Sequence, residues 1–170
     1  MCGLAGMYIP MRATIPSPNL ISMATVMEHR GPDSKTNYCS TDRRFQCVFN
    51  RLAIIDLETA SQPILTEDNS IVLLGNGEIY NFLDIRNDQI KKGYQFHSNG
   101  DMEVILPLFA EKREGFVHDL NGMFSLAIYD KNLDKLFLVR DRLGIKPLYW
   151  AKLPGGGVLF ASEIKSIFAS

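Results

Sequence analysis

The sequence predicts an α+β fold in which helices cover packed sheets. Two observations carry this expectation. Short apolar runs rich in Val, Ile, Leu and Phe, bounded by polar or glycine-bearing turns, occupy both halves of the chain. Between them lie segments whose apolar residues recur at helical spacing. A length of 170 residues is enough for one domain with a proper core and leaves no room for a second full domain.

The first apolar stretch, Cys2 to Ile9, reads as a strand starting at the terminus, where a chain frays unless a sheet holds it. Pro16, Ser17 and Pro18 then introduce a stripe of Leu20, Ile21, Met23, Ala24 and Met27, a helix that stops near His29 to Pro32. Phe45 to Asp56 and Ile71 to Leu74 read as buried strands. Asn81 to Lys92 and Asp101 to Lys112 read as amphipathic helices. Pro107 should remove a hydrogen bond from the second and kink it. The remainder alternates strand and turn: Met123 to Asp130, Lys135 to Arg140, Pro147 to Lys152 and Val158 to Ala161, with Gly155 to Gly157 as a flexible hairpin tip.

Eighteen basic and nineteen acidic side chains, none gathered into a long block, give no footprint for nucleic acid or a membrane surface, so a small polar ligand fits better. The opening residues lack the basic flank and long apolar run of a signal peptide or spanning helix, and a cytoplasmic location is expected. Three widely spaced cysteines, Cys2, Cys39 and Cys47, suit neither a disulfide framework nor a zinc site.

Cys2 carries the most information. Methionine before a small side chain is readily trimmed, which would leave a free α-amine beside the thiol. That amine titrates near about 8, so it can take the thiol proton without a histidine. Taken alone, Cys2 reads more readily as a small buried hydrophobe, the usual fate of an unpaired cysteine. Cys2 with His29 as a thiol hydrolase is a further alternative.

Other segments decide the weight given to Cys2. Cys-Gly-Leu-Ala-Gly at 2 to 6, His-Arg-Gly-Pro-Asp-Ser at 29 to 34, Arg-Leu-Ala-Ile-Ile-Asp-Leu at 51 to 57 and Gln62-Pro63-Ile64 occur in order. They are followed by Asn76-Gly77-Glu78-Ile79-Tyr80-Asn81, Gly100-Asp101-Met102-Glu103-Val104, Asn121 to Phe124, Arg140 to Trp150 and Phe160 to Lys165. The set resembles the glutaminase domain, a class II glutamine amidotransferase, of glutamine-dependent asparagine synthetases, and it covers almost the whole chain. The His-Arg-Gly-Pro-Asp and Asn-Gly-Glu-Ile-Tyr-Asn segments favour that type over other class II amidotransferases.

The resemblance implies an N-terminal-nucleophile hydrolase fold, an αββα sandwich of two antiparallel sheets between helix layers. It implies that the Cys2 thiolate attacks the side-chain amide of L-glutamine, expels ammonia and leaves a thioester for water to cleave. Asn76 and the backbone N–H of Gly77 would form the oxyanion hole. As an isolated dipeptide, Asn76-Gly77 reads as a hairpin turn. Arg51 would clamp the substrate carboxylate, its planar fork suiting that group. Glu78 and Asp101 would accept the α-ammonium, and backbone atoms of Leu52, Ala53, Ile54 and Ile55 would line the substrate. His29 and Arg30 would support the site, with His29 not acting as the base.

His97 and His118 read as exposed or locally bonded, and Arg140 to Trp150 reads as a structural turn between strands. No segment resembles a phosphate-cradling glycine-rich loop, so no cofactor is expected for the glutaminase step. ATP and magnesium would belong to a separate synthetase domain or subunit that receives the ammonia. In the family that domain follows the glutaminase domain; this chain stops before it, and Ser170 comes slightly early for the glutaminase domain itself. The alternative of another class is a noncatalytic glutamine-binding or regulatory module.

Overall fold

A computed structural model of the chain describes residues 1–11 and 18–170. The expected helix lead-in at Pro16 and Ser17 lies outside the described residues. Nine strands among the described residues form two antiparallel sheets. The first sheet has the order β2 (Ser34–Cys39), β3 (Phe45–Arg51), β1 (Gly3–Tyr8), β9 (Val158–Ala161), β8 (Tyr149–Lys152). The second has the order β4 (Ile64–Leu65), β5 (Ile71–Ile79), β6 (Gly122–Asp130), β7 (Lys135–Arg140).

Period-two alternation divides the apolar residues among three layers. Leu4 of β1, Phe45, Cys47 and Phe49 of β3, Val72 and Leu74 of β5 and Tyr129 of β6 meet in the layer between the sheets. Phe45 stacks there on Tyr129, with ring centroids 4.8 Å apart. The odd residues of β1, Ala5 and Met7, turn the other way and bury Met23, Ala24 and Met27 of the segment that forms α1 (Leu20–Thr25) and the 3-10 turn after it. α4 (Ile164–Phe168) joins α1 on that outer face, where Ser166 donates to the Met23 carbonyl.

On the outer face of the second sheet, Leu73, Phe124, Leu126 and Ile128 pack against α2 (Phe82–Lys91) and α3 (Ile105–Lys112). The result is the αββα sandwich expected. The free N-terminal strand is secured because β1 lies third in its sheet, paired to β3 on one side and β9 on the other.

The structure corrects four details. β3 ends at Arg51 rather than Asp56: Asp56 takes a positive φ of 51°, Ile54 is exposed, and the segment leaves the sheet to form a wall of the cleft described below. β5 runs past Leu74 to Ile79, so Asn76 and Gly77 lie inside a strand and not in a hairpin turn. A side chain at Gly77 would collide with the Met123 carbonyl and the Phe124 Cα, which explains why this strand position takes glycine.

Pro107 does not kink a long helix. A 3-10 turn at Met102–Val104 precedes α3, and Ile105 already donates to the Glu103 carbonyl, the acceptor a residue at 107 would use. Pro107 therefore sits in the first turn, where its missing N–H costs nothing. Finally, β8 begins at Tyr149 rather than at Pro147.

The chain between β7 and β8 is a structural turn, as expected. The Asp141 carboxylate accepts backbone N–H groups from Phe124, Leu143, Ile145 and Lys146 at 2.9–3.2 Å. Glycines 155 and 156, at φ 90° and 99°, turn the chain between β8 and β9.

Candidate active site

A cleft of about 150 Å³ opens where the start of β1, the segment after β3 and the end of β5 converge. Cys2 immediately precedes β1 and packs at the edge of the layer between the sheets. Its Sγ is held between two backbone groups of one residue: Leu52 N–H donates to it at 3.3 Å, and the thiol donates to Leu52 O at 3.5 Å. Burial pushes the thiol up from its ordinary value. The Leu52 bond, the terminal ammonium, Arg51 and Arg30 pull the other way. The resting group is thus a thiol, and attack on a carbonyl requires a proton acceptor. With Met1 attached, the nitrogen of Cys2 is an amide; Met1 itself borders the cleft.

On the facing sheet Asn76 is buried on the side of β5 that carries Val72 and Leu74, directed between the sheets. Its Nδ2 has no hydrogen-bond partner among the described residues. An unpaired buried amide donor is costly unless a ligand completes it.

The Gly77 N–H follows from strand register. Phe124, opposite Gly77, donates its N–H to Asp141 Oδ2 and accepts the Asp141 N–H at its carbonyl. In an antiparallel pair, Gly77 must then turn its own N–H away from β6. On that outer edge of β5 the Gln62 side chain pairs with both backbone groups of Gly75, and Asp101 Oδ2 takes the Ile79 N–H at 2.8 Å. Gly77 lies between these two closures and borders the cleft.

Arg51, Leu52, Ile54, Ile55, Glu78 and Asp101 also border the cleft. Ala53 does not; its N–H is taken by Asp33 Oδ2 at 2.8 Å. The Arg51 guanidinium donates to the carbonyls of Ile55, Asp56 and Leu57, which fixes the segment after β3 as a wall and leaves the fork with donors to spare. Burial raises the Asp101 carboxyl above the ordinary aspartate value. The Ile79 N–H opposes that shift, and the nearby Glu78 charge adds to it.

His29 and Arg30 stand behind the nucleophile. Arg30 Nε donates to the Cys2 carbonyl at 2.9 Å and its Nη1 to Glu163 Oε1 at 3.2 Å, while His29 Nε2 lies 2.9 Å from that same oxygen. His29 is thereby occupied with Glu163 and well exposed. His97 and His118 are exposed as well.

Sequence reasoning assigned no role to Gln62, Glu103 or Glu163, although all three fall within the quoted motifs. Gln62 bonds the backbone of Gly75, Glu103 the backbone and side chain of the turn before it, and Glu163 the distant His29 and Arg30, contacts that only the fold reveals.

Residues 1–170 match the family model described as a glutamine amidotransferase domain. The chain is 45% identical over 172 residues to glutamine-hydrolyzing asparagine synthetase 2 of Bacillus subtilis (strain 168), covering 99% of this chain and 22% of that protein. It is 37% identical over 168 residues to glutamine-hydrolyzing asparagine synthetase B of Escherichia coli (strain K12), covering 98% of this chain and 30% of that protein. Among solved structures, the glutamine phosphoribosylpyrophosphate amidotransferase from B. subtilis complexed with ADP and GMP aligns with a TM-score of 0.78 at 16% identity, covering 99% of this chain and 43% of that one. That last likeness is one of fold. The chain spans 22% to 30% of the length of these two curated relatives.

Proposed function

Because the chain belongs to the glutamine amidotransferase domain family, with the N-terminal-nucleophile hydrolase fold, we propose that it hydrolyses the side-chain amide of L-glutamine through Cys2. The observation that supports this most is the juxtaposition in one cleft of the Cys2 thiol with the unpaired Asn76 Nδ2 and the outward-turned Gly77 N–H. A nucleophile faces donors suited to the charge that its attack creates.

In this mechanism Met1 is removed, and the freed α-amine of Cys2 takes the thiol proton. The sulfur attacks the amide carbon, and the carbonyl oxygen becomes an oxyanion bonded by Asn76 and Gly77. Collapse expels ammonia, protonated through the same amine, and leaves a glutamyl thioester. Water cleaves the thioester to glutamate and regenerates the thiol. Protons move only among thiol, amine, substrate and water, so this half-reaction calls for no cofactor. Arg51 holds the substrate carboxylate, and Glu78 with Asp101 holds its ammonium. The ammonia passes to a synthetase domain or subunit, where ATP and magnesium would act. This last step is supported by relatives that are named as asparagine synthetases and are more than three times as long as the matched portion.

Intact mass paired with an ammonia-release assay tests the reading. Trimmed protein should hydrolyse glutamine, Met1-bearing protein should be strongly impaired, and Cys2→Ala should be inactive yet still bind glutamine. Full activity in Cys2→Ala rules the mechanism out, and equal rates with and without Met1 remove the α-amine as the base.

A further inference from the structure

The Glu103 carboxylate is buried to 2% exposure, borders the cleft and forms no ion pair among the described residues. Its charge is met instead by three donors from the chain just before it: His97 N–H at 2.8 Å on Oε1, and Ser98 N–H at 2.8 Å and Ser98 Oγ at 2.6 Å on Oε2. Ser98 Oγ in turn accepts the Gly100 N–H at 3.3 Å. The residues so gathered, 97 to 100, lead directly into Asp101.

The same turn is tied to the opposite wall of the cleft. Asn99 N–H donates to Asp56 Oδ2 at 2.7 Å, and a Cβ on Gly100 would lie 2.8 Å from that of Ala60. From α2, Arg86 reaches the carbonyls of Ser98 and Gly100 at 2.7 and 3.1 Å. Arg86 stacks on Phe96 and serves the turn from outside, while Glu103 serves it from the cleft side.

We propose that Glu103 is a positioning residue for the α-ammonium subsite: its caged carboxylate fixes the 97–101 turn so that Asp101 meets the substrate's amino group. This rests on the glutamine reading above. Three of the roughly four acceptor sites of the Glu103 carboxylate are taken by the turn, which assigns it to the turn rather than to the substrate. A burial this complete with three donors suits a carboxylate and not its amide. Glutamine at 103 would keep one acceptor and present an NH2 group to N–H donors that it cannot satisfy.

The test is calorimetric, in the Cys2→Ala background so that no turnover intervenes. Two ligands are compared: glutamine, and 4-carbamoylbutanoate, which is glutamine without its α-amino group. Glu103→Gln should weaken glutamine binding about tenfold or more while changing 4-carbamoylbutanoate binding less than about threefold. Ser98→Ala, which removes one of the three donors, should shift the same ratio in the same direction by a smaller factor and keeps the test intact if Glu103→Gln fails to fold. In Cys2-bearing trimmed protein, Glu103→Gln should raise KM far more than it lowers kcat.

Unchanged glutamine affinity, or equal losses for both ligands, overturns the proposal. Glutamine binding by the parent without ammonia release from trimmed protein defeats the glutaminase reading while leaving this one standing. A parent that binds no glutamine defeats both.

Discussion

At the scale of single residues, the proposed reaction divides the cleft between two tasks: holding the ends of an amino acid and attacking its side chain. The raised Asp101 carboxyl gives the first task a pH signature. Only the ionised form attracts an ammonium, so glutamine affinity should fall as the solution is acidified, and should begin to fall above the ordinary aspartate value of about 3.9. Calorimetry on Cys2→Ala between neutral and mildly acid pH measures this, and Asp101→Asn should flatten the curve. Affinity that holds constant until the ordinary value is reached would remove Asp101 from the subsite.

Arg51 is tested by comparing glutamine with an amide that lacks the α-carboxylate. Arg51→Ala should cost glutamine about 1.5 to 3 kcal/mol of binding, roughly tenfold to a hundredfold, and the truncated amide much less. Because Arg51 also anchors the carbonyls of residues 55 to 57, an equal loss for both would assign it to the wall alone. Cys2, Arg51, Asn76, Gly77, Glu78 and Asp101, which border the cleft, were singled out in the sequence through the family resemblance, each alone having an equal or commoner structural reading. Glu103 and Gln62 were not, because they act on backbone groups of strands and turns that exist only after folding.

At the scale of elements, the parts read correctly from sequence are those whose apolar pattern matches their burial. β1, β6, β7 and β9 and the helix α2 were found within a residue or two. β2 escaped because Ser34–Cys39 is an exposed edge strand that pairs only with β3 and carries Lys, Thr and Asn instead of a buried face. α4 is five residues long, too short for helical periodicity to register. The strand through Asn76-Gly77 is more instructive. A dipeptide that favours turns is forced straight by pairing with Ser125 and Phe124, and the resulting edge faces the cleft.

The Asp141 cage shows how much such elements depend on one side chain. Burial alone would raise this carboxyl, yet the N–H groups of Lys146, Ile145, Phe124 and Leu143 outweigh it and hold the group below its ordinary value. A depressed folded-state value stabilises the fold above the unfolded value of about 3.9, and this stabilisation is lost as pH falls through the folded value. Asp141→Ala should therefore cost about 3 kcal/mol at neutral pH by leaving those N–H groups unpaired, and less in acid. Urea denaturation of parent and variant at both pH values checks this. A neutral effect would show that solvent replaces the carboxylate at no cost.

At the scale of the whole molecule, the two sheets divide the labour of the proposed reaction. The first carries the nucleophile at the start of β1, and the second carries the donors and Glu78 at the end of β5, with Asp101 bonded to its last residue, Ile79. Their joint layer of Phe45, Phe49, Tyr129 and Phe160 fixes the spacing between them. In the proposed reaction all of this serves the release of ammonia; the relatives are named as glutamine-hydrolyzing asparagine synthetases, and less than a third of their length is matched. No helix among the described residues is long and apolar enough to cross a membrane.

The 170-residue chain, incubated with glutamine, aspartate and ATP–magnesium, should therefore produce glutamate and free ammonia in equal amounts and no asparagine. Supplying a synthetase partner should divert the ammonia and change the glutaminase rate, because a partner docked over the surface where ammonia leaves would act on product release, a step that commonly limits turnover. Amino-acid analysis of the reaction mixture reads both outcomes. Asparagine formed by the isolated chain would show that acceptor chemistry resides within these two sheets after all, and that the separation between ammonia release and its use is wrong.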